Sequence, residues 1–299
     1  MNEQQLKRVA ELIAPYRVTN GKKFALKDFD PADTGELGSE DKKEAKEALE
    51  QGVEWLAEQQ DMLYAQDHWA LLLVFQAMDA AGKDGTIKHV TSGINPQGCS
   101  VTSFKKPSDE ELDHDYLWRY MRHVPPRGEI GIFNRSYYEE VLVVKVHGEL
   151  LARQKIPPSL VTKRIWTERY GDIASYERYL TRNGVRILKF FLHVSKGEQK
   201  KRFLSRLEEP EKNWKFSASD IAERAYWSVY QEAYDEAIRE TASDEAPWFV
   251  VPADNKWFTR LIVAAAVVDA IGRLDLHYPV VGADARKELA AARARLERE

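Results

Sequence analysis

The sequence predicts an α/β fold, a parallel sheet with helices on both faces, arranged in three layers. Short apolar segments alternate with helical patterns along most of the chain, as in βαβ units. The apolar run at residues 69–75 is continuous and leads into a glycine-containing loop, which is typical of a buried parallel strand. No internal repeat or low-complexity linker divides the chain. We therefore expect one core at residues 67–282, a helical extension at 1–66 and a helical tail at 283–299.

The individual elements follow from the spacing of apolar residues. One face of the first long helix carries Leu49, Val53, Leu56 and Leu63, and charged residues fill the other face. The polar segment at residues 27–39 predicts a loop. Strands are expected at residues 68–75, 99–104, 129–133, 185–194 and 247–251. Helices are expected at residues 40–66, 109–123, 136–146, 160–182, 197–207, 217–239 and 257–274.

Composition places the chain among ordinary globular proteins, with 43% hydrophobic and 31% charged residues among its 299. The single cysteine, Cys99, excludes an internal disulfide framework and argues against a cysteine-based zinc site. The N-terminus lacks the apolar core of a signal peptide, and the most apolar stretch is about half a membrane span. We expect a cytoplasmic protein without a membrane partner. Because the net charge is −4, any polyanion must be bound by local basic clusters.

A candidate phosphate-binding loop lies at residues 75–86, which read FQAMDAAGKDGT. It follows a predicted strand and precedes a predicted helix, the context in which backbone N–H groups and Lys83 can bind phosphate. The match to the P-loop pattern is imperfect. Ala77 occupies the position of the first glycine, and Asp84 replaces the usual Ser or Thr. Gly-Lys pairs are also common in ordinary loops, so the pattern alone leaves both interpretations open.

Asp79 lies inside this candidate loop and favours the functional interpretation. A carboxylate next to bound phosphate is repulsive unless a cation lies between them, so Asp79 is a candidate Mg²⁺ ligand in place of the absent Ser or Thr. The alternative is a turn-forming aspartate that caps the loop.

A second candidate segment follows the strand at residues 129–133. In P-loop enzymes the end of a neighbouring strand usually carries an acid for Mg²⁺, and here Asn134 occupies that position. Arg135 comes next, at the carboxyl end of a predicted parallel strand, where ligands usually bind. It is a candidate for binding phosphate or neutralising charge in the transition state. The alternative is a structural arginine paired with Glu139 or Glu140.

Several segments together resemble the polyphosphate kinase type-2 family, in the same order along the chain. The resemblance runs from about residue 16 to 278. The segments that carry it are 78–85 (MDAAGKDG), 93–98 (GINPQG), 104–108 (FKKPS), 133–140 (FNRSYYEE), 206–217 (RLEEPEKNWKFS) and 251–257 (VPADNKW).

This resemblance implies a thymidylate-kinase-like P-loop fold with a helical lid at about residues 197–220. It also implies Mg²⁺-dependent phosphoryl transfer between inorganic polyphosphate and AMP or ADP, with ATP among the nucleotides bound. By motif position, Asp79, Lys83 and Arg135 match the family's catalytic residues. Asn134 departs from the family's common aspartate, and with the Tyr-Tyr-Glu-Glu run it is similar to the subgroup that phosphorylates both AMP and ADP.

Two sets of binding residues complete the prediction, and Asp79 is its one metal ligand. The set expected to bind phosphate or polyphosphate is Ala81, Gly82, Lys83, Asp84, Gly85, Thr86, Lys88, His89, Lys105, Arg202 and Arg206. The set expected to bind the nucleotide is Asn134, Arg135, Tyr138, Glu139 and Arg122. His193 lies in an apolar strand and is expected to be a packed core residue. We also expect a homo-oligomer without a nucleic-acid partner.

Two other functions remain open at this point. One is an ATP-dependent kinase acting on a nucleoside monophosphate or another small molecule, on the same fold. The other is a polyphosphate- or RNA-binding module with a decayed P-loop, which the departures at Ala77, Asp84 and Asn134 favour. The combination of Asp79, Lys83 and Arg135 argues against decay.

Overall fold

The computed structural model describes the backbone of residues 1–299 and every side chain except that of Lys215. Its centre is a six-stranded sheet with the order β1-β6-β5-β2-β4-β3. The strands are β1 (Arg17–Val18), β2 (Ala70–Ala77), β3 (Cys99–Ser103), β4 (Ile130–Asn134), β5 (Val185–His193) and β6 (Trp248–Pro252). The four pairings among β2 to β6 are parallel, whereas β1 pairs with β6 in the antiparallel sense. The parallel sheet predicted from the sequence is therefore confirmed.

Helices cover the sheet on both sides. They are α1 (Glu3–Ile13), α2 (Lys42–Gln66), α3 (Lys83–Val90), α4 (Asp109–Asp113), α5 (Trp118–Met121), α6 (Val143–Val146), α7 (Ile165–Arg182), α8 (Lys196–Glu208), α9 (Ala218–Glu223), α10 (Trp227–Thr241), α11 (Lys256–Gly272) and α12 (Ala283–Leu296). Helix α11 packs against α1, α2 and α3, whereas α7 packs against α10 and β5. No helix among the described residues is long and apolar enough to span a bilayer.

The core forms because the central strands are apolar on both faces. Residues Leu71 to Phe75 of β2 are almost completely inaccessible to solvent, as parallel strands under two helical layers require. Phe75 stacks on Phe190 of β5 at a centroid distance of 4.9 Å, and Phe190 stacks on Phe249 of β6. His193 at the end of β5 is buried, as expected, and burial lowers its pKa to about 4.

Three predicted helices are wrong in detail, and one of them, expected at residues 217–239, is divided by a 3₁₀ turn at Arg224–Tyr226 into α9 and α10. The segment 109–123 forms two short helices, and a capping box of Ser108 and Glu111 starts the first of them. The segment 136–146 forms a 3₁₀ turn and the short α6, because Tyr137 and Tyr138 are both drawn into the core, where their hydroxyls donate to Glu177. Strand β1 was not predicted, since a two-residue strand carries no alternating pattern.

This topology places one loop at the centre of the molecule. Strand β2 lies between β4 and β5, and the chain leaves β2 toward β3 and β4 on one side before returning to β5 and β6 on the other. Such a reversal opens a crevice at the carboxyl ends of the strands. The loop after β2 lies in that crevice, and the segment from α8 to α9 lies beside it.

Candidate active site

The loop between β2 and α3 has the backbone conformation of an anion-binding turn. Ala80 and Gly82 have φ values of +60° and +102°, both in the left-handed region, and Lys83 is the first residue of α3. Glycine adopts this conformation without the steric cost that a side chain adds. No side chain caps α3, so the N–H groups of its first turn are left for a ligand.

A pocket of about 350 Å³ lies on this loop and contains most of the predicted phosphate-binding residues. We call it the phosphate pocket. Its lining residues are Met78, Asp79, Ala80, Ala81, Gly82, Lys83, Asp84, Gly85, Ser103, Phe104, Lys105, Asn134, Arg135 and Arg206. The pocket therefore lies where the carboxyl ends of β2, β3 and β4 meet residues of α3 and α8.

Arg135 and Lys83 form the positive centre of the phosphate pocket. Arg135 directly follows β4, with φ of +66°, and its N–H donates to the carbonyl of Phe75 at 3.1 Å. Its guanidinium lies 3.7 Å from Asp79, and the carboxylate of Glu139 contributes most to raising the pKa of Arg135. Burial and the nearby Arg135 lower the pKa of Lys83. Two cations close together in a partly desolvated site favour an anionic ligand.

Asn134 and Asp84 contact each other across the same pocket. The amide of Asn134 donates to a carboxylate oxygen of Asp84 at 2.9 Å. Asp84 occupies the motif position at which a P-loop enzyme usually has Ser or Thr. The hydrogen bond from Asn134, at the end of β4, orients one of the carboxylate oxygens of Asp84. Asp79 and Asp84 provide carboxylate oxygens to one pocket, the ligand type that Mg²⁺ prefers.

A second pocket adjoins the phosphate pocket, and we call it the acceptor pocket. It has a volume of about 280 Å³ and shares Phe104, Lys105 and Arg135 with its neighbour. The remaining lining residues are Lys106, Pro107, Leu112, Arg119, Tyr120, Glu139, Glu140, Val143, Val144, Leu150, Arg153 and Gln154. An apolar wall with a few polar groups at its edge is the usual construction of a small-molecule site.

A sequence profile described as polyphosphate kinase 2 matches residues 39–277, most of the chain. The chain belongs to the polyphosphate kinase 2 family. An ADP-polyphosphate phosphotransferase from Rhodopseudomonas palustris is 53% identical over 258 residues, which are 86% of this chain and 89% of that protein. An AMP/ADP-polyphosphate phosphotransferase from Meiothermus ruber is 46% identical over 266 residues, 88% of this chain and 94% of that protein.

A solved structure of the family has the same fold as this chain. The crystal structure of polyphosphate kinase 2 from Arthrobacter aurescens TC1 matches with a TM-score of 0.83 at 41% sequence identity. The match covers 93% of this chain and 95% of that structure. The family and the P-loop kinase fold expected from the sequence are therefore confirmed.

Arg202 does not face the phosphate pocket, and its predicted role in binding polyphosphate is wrong. Its guanidinium donates to the carbonyls of Ala80 and Ala81 at 3.1 and 2.7 Å, and to those of Ala253 and Asp254 at 2.6 and 3.0 Å. Its Nε donates to Glu198 at 2.8 Å, so all N–H donors of a guanidinium are used. Arg202 supports the phosphate loop from behind.

Three further residues predicted to bind phosphate lie outside the phosphate pocket. Thr86 is buried, and its hydroxyl donates to the carbonyl of Gly82 at 3.2 Å. His89 contacts the carbonyl of Gly85 through Nδ1 at 2.8 Å. Lys88 is exposed on α3. Sequence spacing places all three on the loop helix, but only its first turn faces the pocket.

The structure separates the predicted nucleotide-binding residues. Arg135 and Glu139 line the acceptor pocket, whereas Asn134 lines the phosphate pocket. The prediction for Tyr138 is wrong, because its side chain is inaccessible to solvent and its hydroxyl contacts Glu177 and Thr241. Arg122 lies outside both pockets, with its guanidinium 4.6 Å from the ring centre of Trp118.

A group of hydrogen-bonded polar side chains at the wall of the acceptor pocket was not predicted. Arg169 of α7 donates to Glu140 at 3.1 Å and to Gln154 at 2.6 Å, and Gln154 donates to Glu140. Burial raises the pKa of Glu140, an effect that Arg169 opposes. The three residues come from separate segments, so no sequence spacing could have revealed the contact.

Proposed function

We propose that this protein transfers a phosphoryl group between inorganic polyphosphate and AMP or ADP, forming ADP or ATP. The observation that carries the proposal is the meeting of the phosphate pocket and the acceptor pocket at Arg135. One cation is thereby shared by a site suited to a phosphate chain and a site suited to a nucleotide. The names of the relatives from Rhodopseudomonas palustris and Meiothermus ruber support the same reaction.

The phosphate pocket is the site that we assign to polyphosphate. The first turn of α3 offers free N–H groups, and Lys83, Arg135 and Arg206 supply positive charge. Arg206 is only 3.8 Å from Asp220 of α9, so it also connects the phosphate pocket to the segment from α8 to α9. Closure of that segment as a lid would exclude water and favour transfer over hydrolysis.

The acceptor pocket is the site that we assign to the nucleotide. Its apolar wall, with Leu112, Val144 and Leu150, suits a base and a sugar. Lys105 lies at the boundary of the two pockets, where the acceptor phosphate must lie to react. Glu139 accepts from Gln76 at 2.9 Å, which fixes the carboxylate that raises the pKa of Arg135.

Magnesium fits the phosphate pocket, and Asp79 and Asp84 are the residues that would bind it. Among the side chains that the structure describes, no three His, Cys, Asp or Glu residues form a complete metal cage. Mg²⁺ does not need one, because it is usually bound by one or two carboxylates, water and substrate phosphates. When bound, the ion neutralises charge on the phosphate oxygens.

The residues of the chain position the reactants and neutralise charge. A terminal phosphate oxygen of the nucleotide attacks the terminal phosphorus of polyphosphate, the bond to the next bridging oxygen breaks, and the shortened chain leaves. Lys83 and Arg135 stabilise the charge on the transferred group. The acceptor oxygen of AMP or ADP is already deprotonated near neutral pH, so the reaction requires no strong general base.

A coupled assay with either donor tests this function. We expect Mg²⁺-dependent formation of ADP from AMP, and of ATP from ADP, with polyphosphate as donor. If ATP and not polyphosphate phosphorylates AMP, the protein is instead an ATP-dependent kinase. If polyphosphate binds without any turnover, the protein is a binding module.

A further inference from the structure

A hydrogen bond between His147 and Glu223 joins the acceptor pocket to the proposed lid. His147 directly follows α6, whose residues Val143 and Val144 line the acceptor pocket. The backbone N–H of His147 donates to the carbonyl of Val143 at 2.9 Å, so His147 is attached to the wall of that pocket. Glu223 is the last residue of α9, and its carboxylate lies 2.9 Å from Nε2 of His147.

The residues around this contact keep both partners in place. The hydroxyl of Tyr230, on α10, donates to the same carboxylate oxygen of Glu223 at 2.8 Å. The side chain of His147 is only 17% exposed, and the ring of Tyr226 packs against it at a centroid distance of 4.8 Å. Because an ionised carboxylate only accepts hydrogen bonds, Nε2 of His147 is the donor. Glu149 lies 3.6 Å from the other ring nitrogen, but it is 73% exposed and contributes little.

Helix α9 also reaches the phosphate pocket. Asp220, one turn before Glu223, lies 3.8 Å from Arg206, which lines that pocket. Burial and the nearby charge of Asp79 raise the pKa of Asp220, so the two carboxylates are close together. Residues one turn apart on a helix move together, so a shift of Glu223 also displaces Asp220 and its contact with Arg206.

We propose that His147 is a positioning residue, which holds α9 beside the phosphate pocket and so directs the phosphoryl group to the nucleotide instead of to water. This inference rests on the proposed function, because it requires polyphosphate as the donor. A segment that closes over a reacting group excludes water only while it stays in place.

Loss of the contact lets the end of α9 move away, and water then competes with the nucleotide. The oxygen of a water molecule forms a bond to the terminal phosphorus of polyphosphate, and the bond from that phosphorus to the bridging oxygen breaks. Orthophosphate and the shortened chain leave, and the protons of the water pass to these products and the solvent. Hydrolysis therefore increases relative to transfer.

A second polar contact of α6 provides a reference. Lys145 lies two residues before His147, and its ammonium contacts Glu236 of α10 and donates to the hydroxyl of Tyr170 of α7 at 3.2 Å. Neither partner belongs to α9. This contact therefore fixes α6 to its neighbouring helices without involving the proposed lid.

The partition between transfer and hydrolysis tests the role of His147. Wild type, His147→Leu and His147→Gln are supplied with polyphosphate, ADP and Mg²⁺, and the orthophosphate released per ATP formed is measured. We expect His147→Leu to raise this ratio about tenfold, the effect of losing one hydrogen bond to a charged group. His147→Gln should give a smaller rise, because the amide of glutamine can still donate to Glu223.

Lys145→Met is the matched control, because it removes a polar contact of the same helix. It should lower the stability measured by urea denaturation and leave the ratio unchanged. An unchanged ratio in His147→Leu, or an equal rise in Lys145→Met, would overturn the positioning role while leaving the proposed function intact.

Tyr230→Phe gives the same test if His147→Leu does not fold. It removes only the second hydrogen bond to Glu223, and it should raise the ratio in the same direction. An unchanged ratio in this variant would likewise overturn the positioning role. A wild-type protein that forms no ATP from polyphosphate and ADP would overturn the proposed function as well.

Discussion

Among the residues of the phosphate pocket, Lys83 is the one whose position most directly indicates a role in stabilising the charge of the transferred phosphoryl group. It begins α3, lines the phosphate pocket, and has a pKa lowered by burial and by Arg135. Bound phosphate would offset both effects. We predict that Lys83→Ala lowers kcat by at least about a hundredfold, the cost typical of losing one charge-stabilising group in a transition state. The coupled polyphosphate assay measures this change.

Lys88→Ala is the control for that variant. Lys88 lies on the same helix, is exposed, and does not line the phosphate pocket. Its removal should leave the turnover number close to that of wild type, and both variants should retain the wild-type circular dichroism spectrum. Near-normal turnover by Lys83→Ala would contradict the assignment.

Arg202 and Arg206 lie one turn apart on α8 but have different surroundings. Arg202 donates to four backbone carbonyls and is only 8% exposed, whereas Arg206 lines the phosphate pocket. We predict that Arg202→Met lowers the free energy of unfolding by about 3 kcal/mol, because it leaves several acceptors without donors. Arg206→Met should cost less than about 1 kcal/mol in stability and should raise the KM for polyphosphate.

Urea denaturation and steady-state kinetics separate these two effects. The roles assigned to Arg202 and Arg206 would be wrong if the Arg206→Met variant were less stable than the Arg202→Met variant. They would also be wrong if Arg202→Met changed only the KM for polyphosphate. The methionine side chain keeps most of the apolar length of arginine in both cases, so lost packing contributes little to the comparison.

At the scale of elements, a buried ion pair joins β5 to α7 beneath the turn that carries Arg135. Lys189 is inaccessible to solvent and donates to Glu177 at 2.6 Å and to the carbonyl of Thr241 at 2.8 Å. Glu177 also accepts from Tyr137 and Tyr138, which follow Arg135 in sequence. Burial lowers the pKa of Lys189, and Glu177 opposes that shift.

We predict that Glu177→Gln lowers the free energy of unfolding by about 3 kcal/mol, because it leaves the buried ammonium without a counter-charge. Adding Lys189→Met should recover part of that loss, since the unpaired charge is then absent. Denaturant unfolding of the single and double variants gives both values. A double variant that is less stable than Glu177→Gln alone would show that the pair is not coupled in this way.

At the scale of the whole molecule, the sequence predicts the sheet because its central strands are short and largely apolar. Residues 69–75 are a continuous apolar run and residues 185–194 a mostly apolar one, a pattern typical of buried parallel strands, and β2 and β5 occupy these segments. The loop after β2 was predicted from its place between a strand and a helix, and Asp79 favoured a phosphate-binding loop over an ordinary Gly-Lys turn.

Contacts between distant segments were beyond the reach of the sequence. The pattern placed Arg202 on a basic helix, but only the folded chain shows carbonyls of Ala80 and Ala253 on either side of its guanidinium. It placed Tyr138 beside Arg135, but could not show that a 3₁₀ turn directs the ring inward. The spacing of residues predicts which side chains share a helix face only where an α-helix actually forms.

The hydrogen bonds between α8 and the loop after β2 also limit how far the start of α8 can move. Gln199 and Arg202 attach the first turns of this helix to backbone atoms of residues 79–81. If the segment from α8 to α9 closes as the lid proposed above, its hinge must therefore lie beyond Arg202. We expect the moving part to comprise the 3₁₀ segment Pro210–Lys215 and α9, with Arg206 at its start.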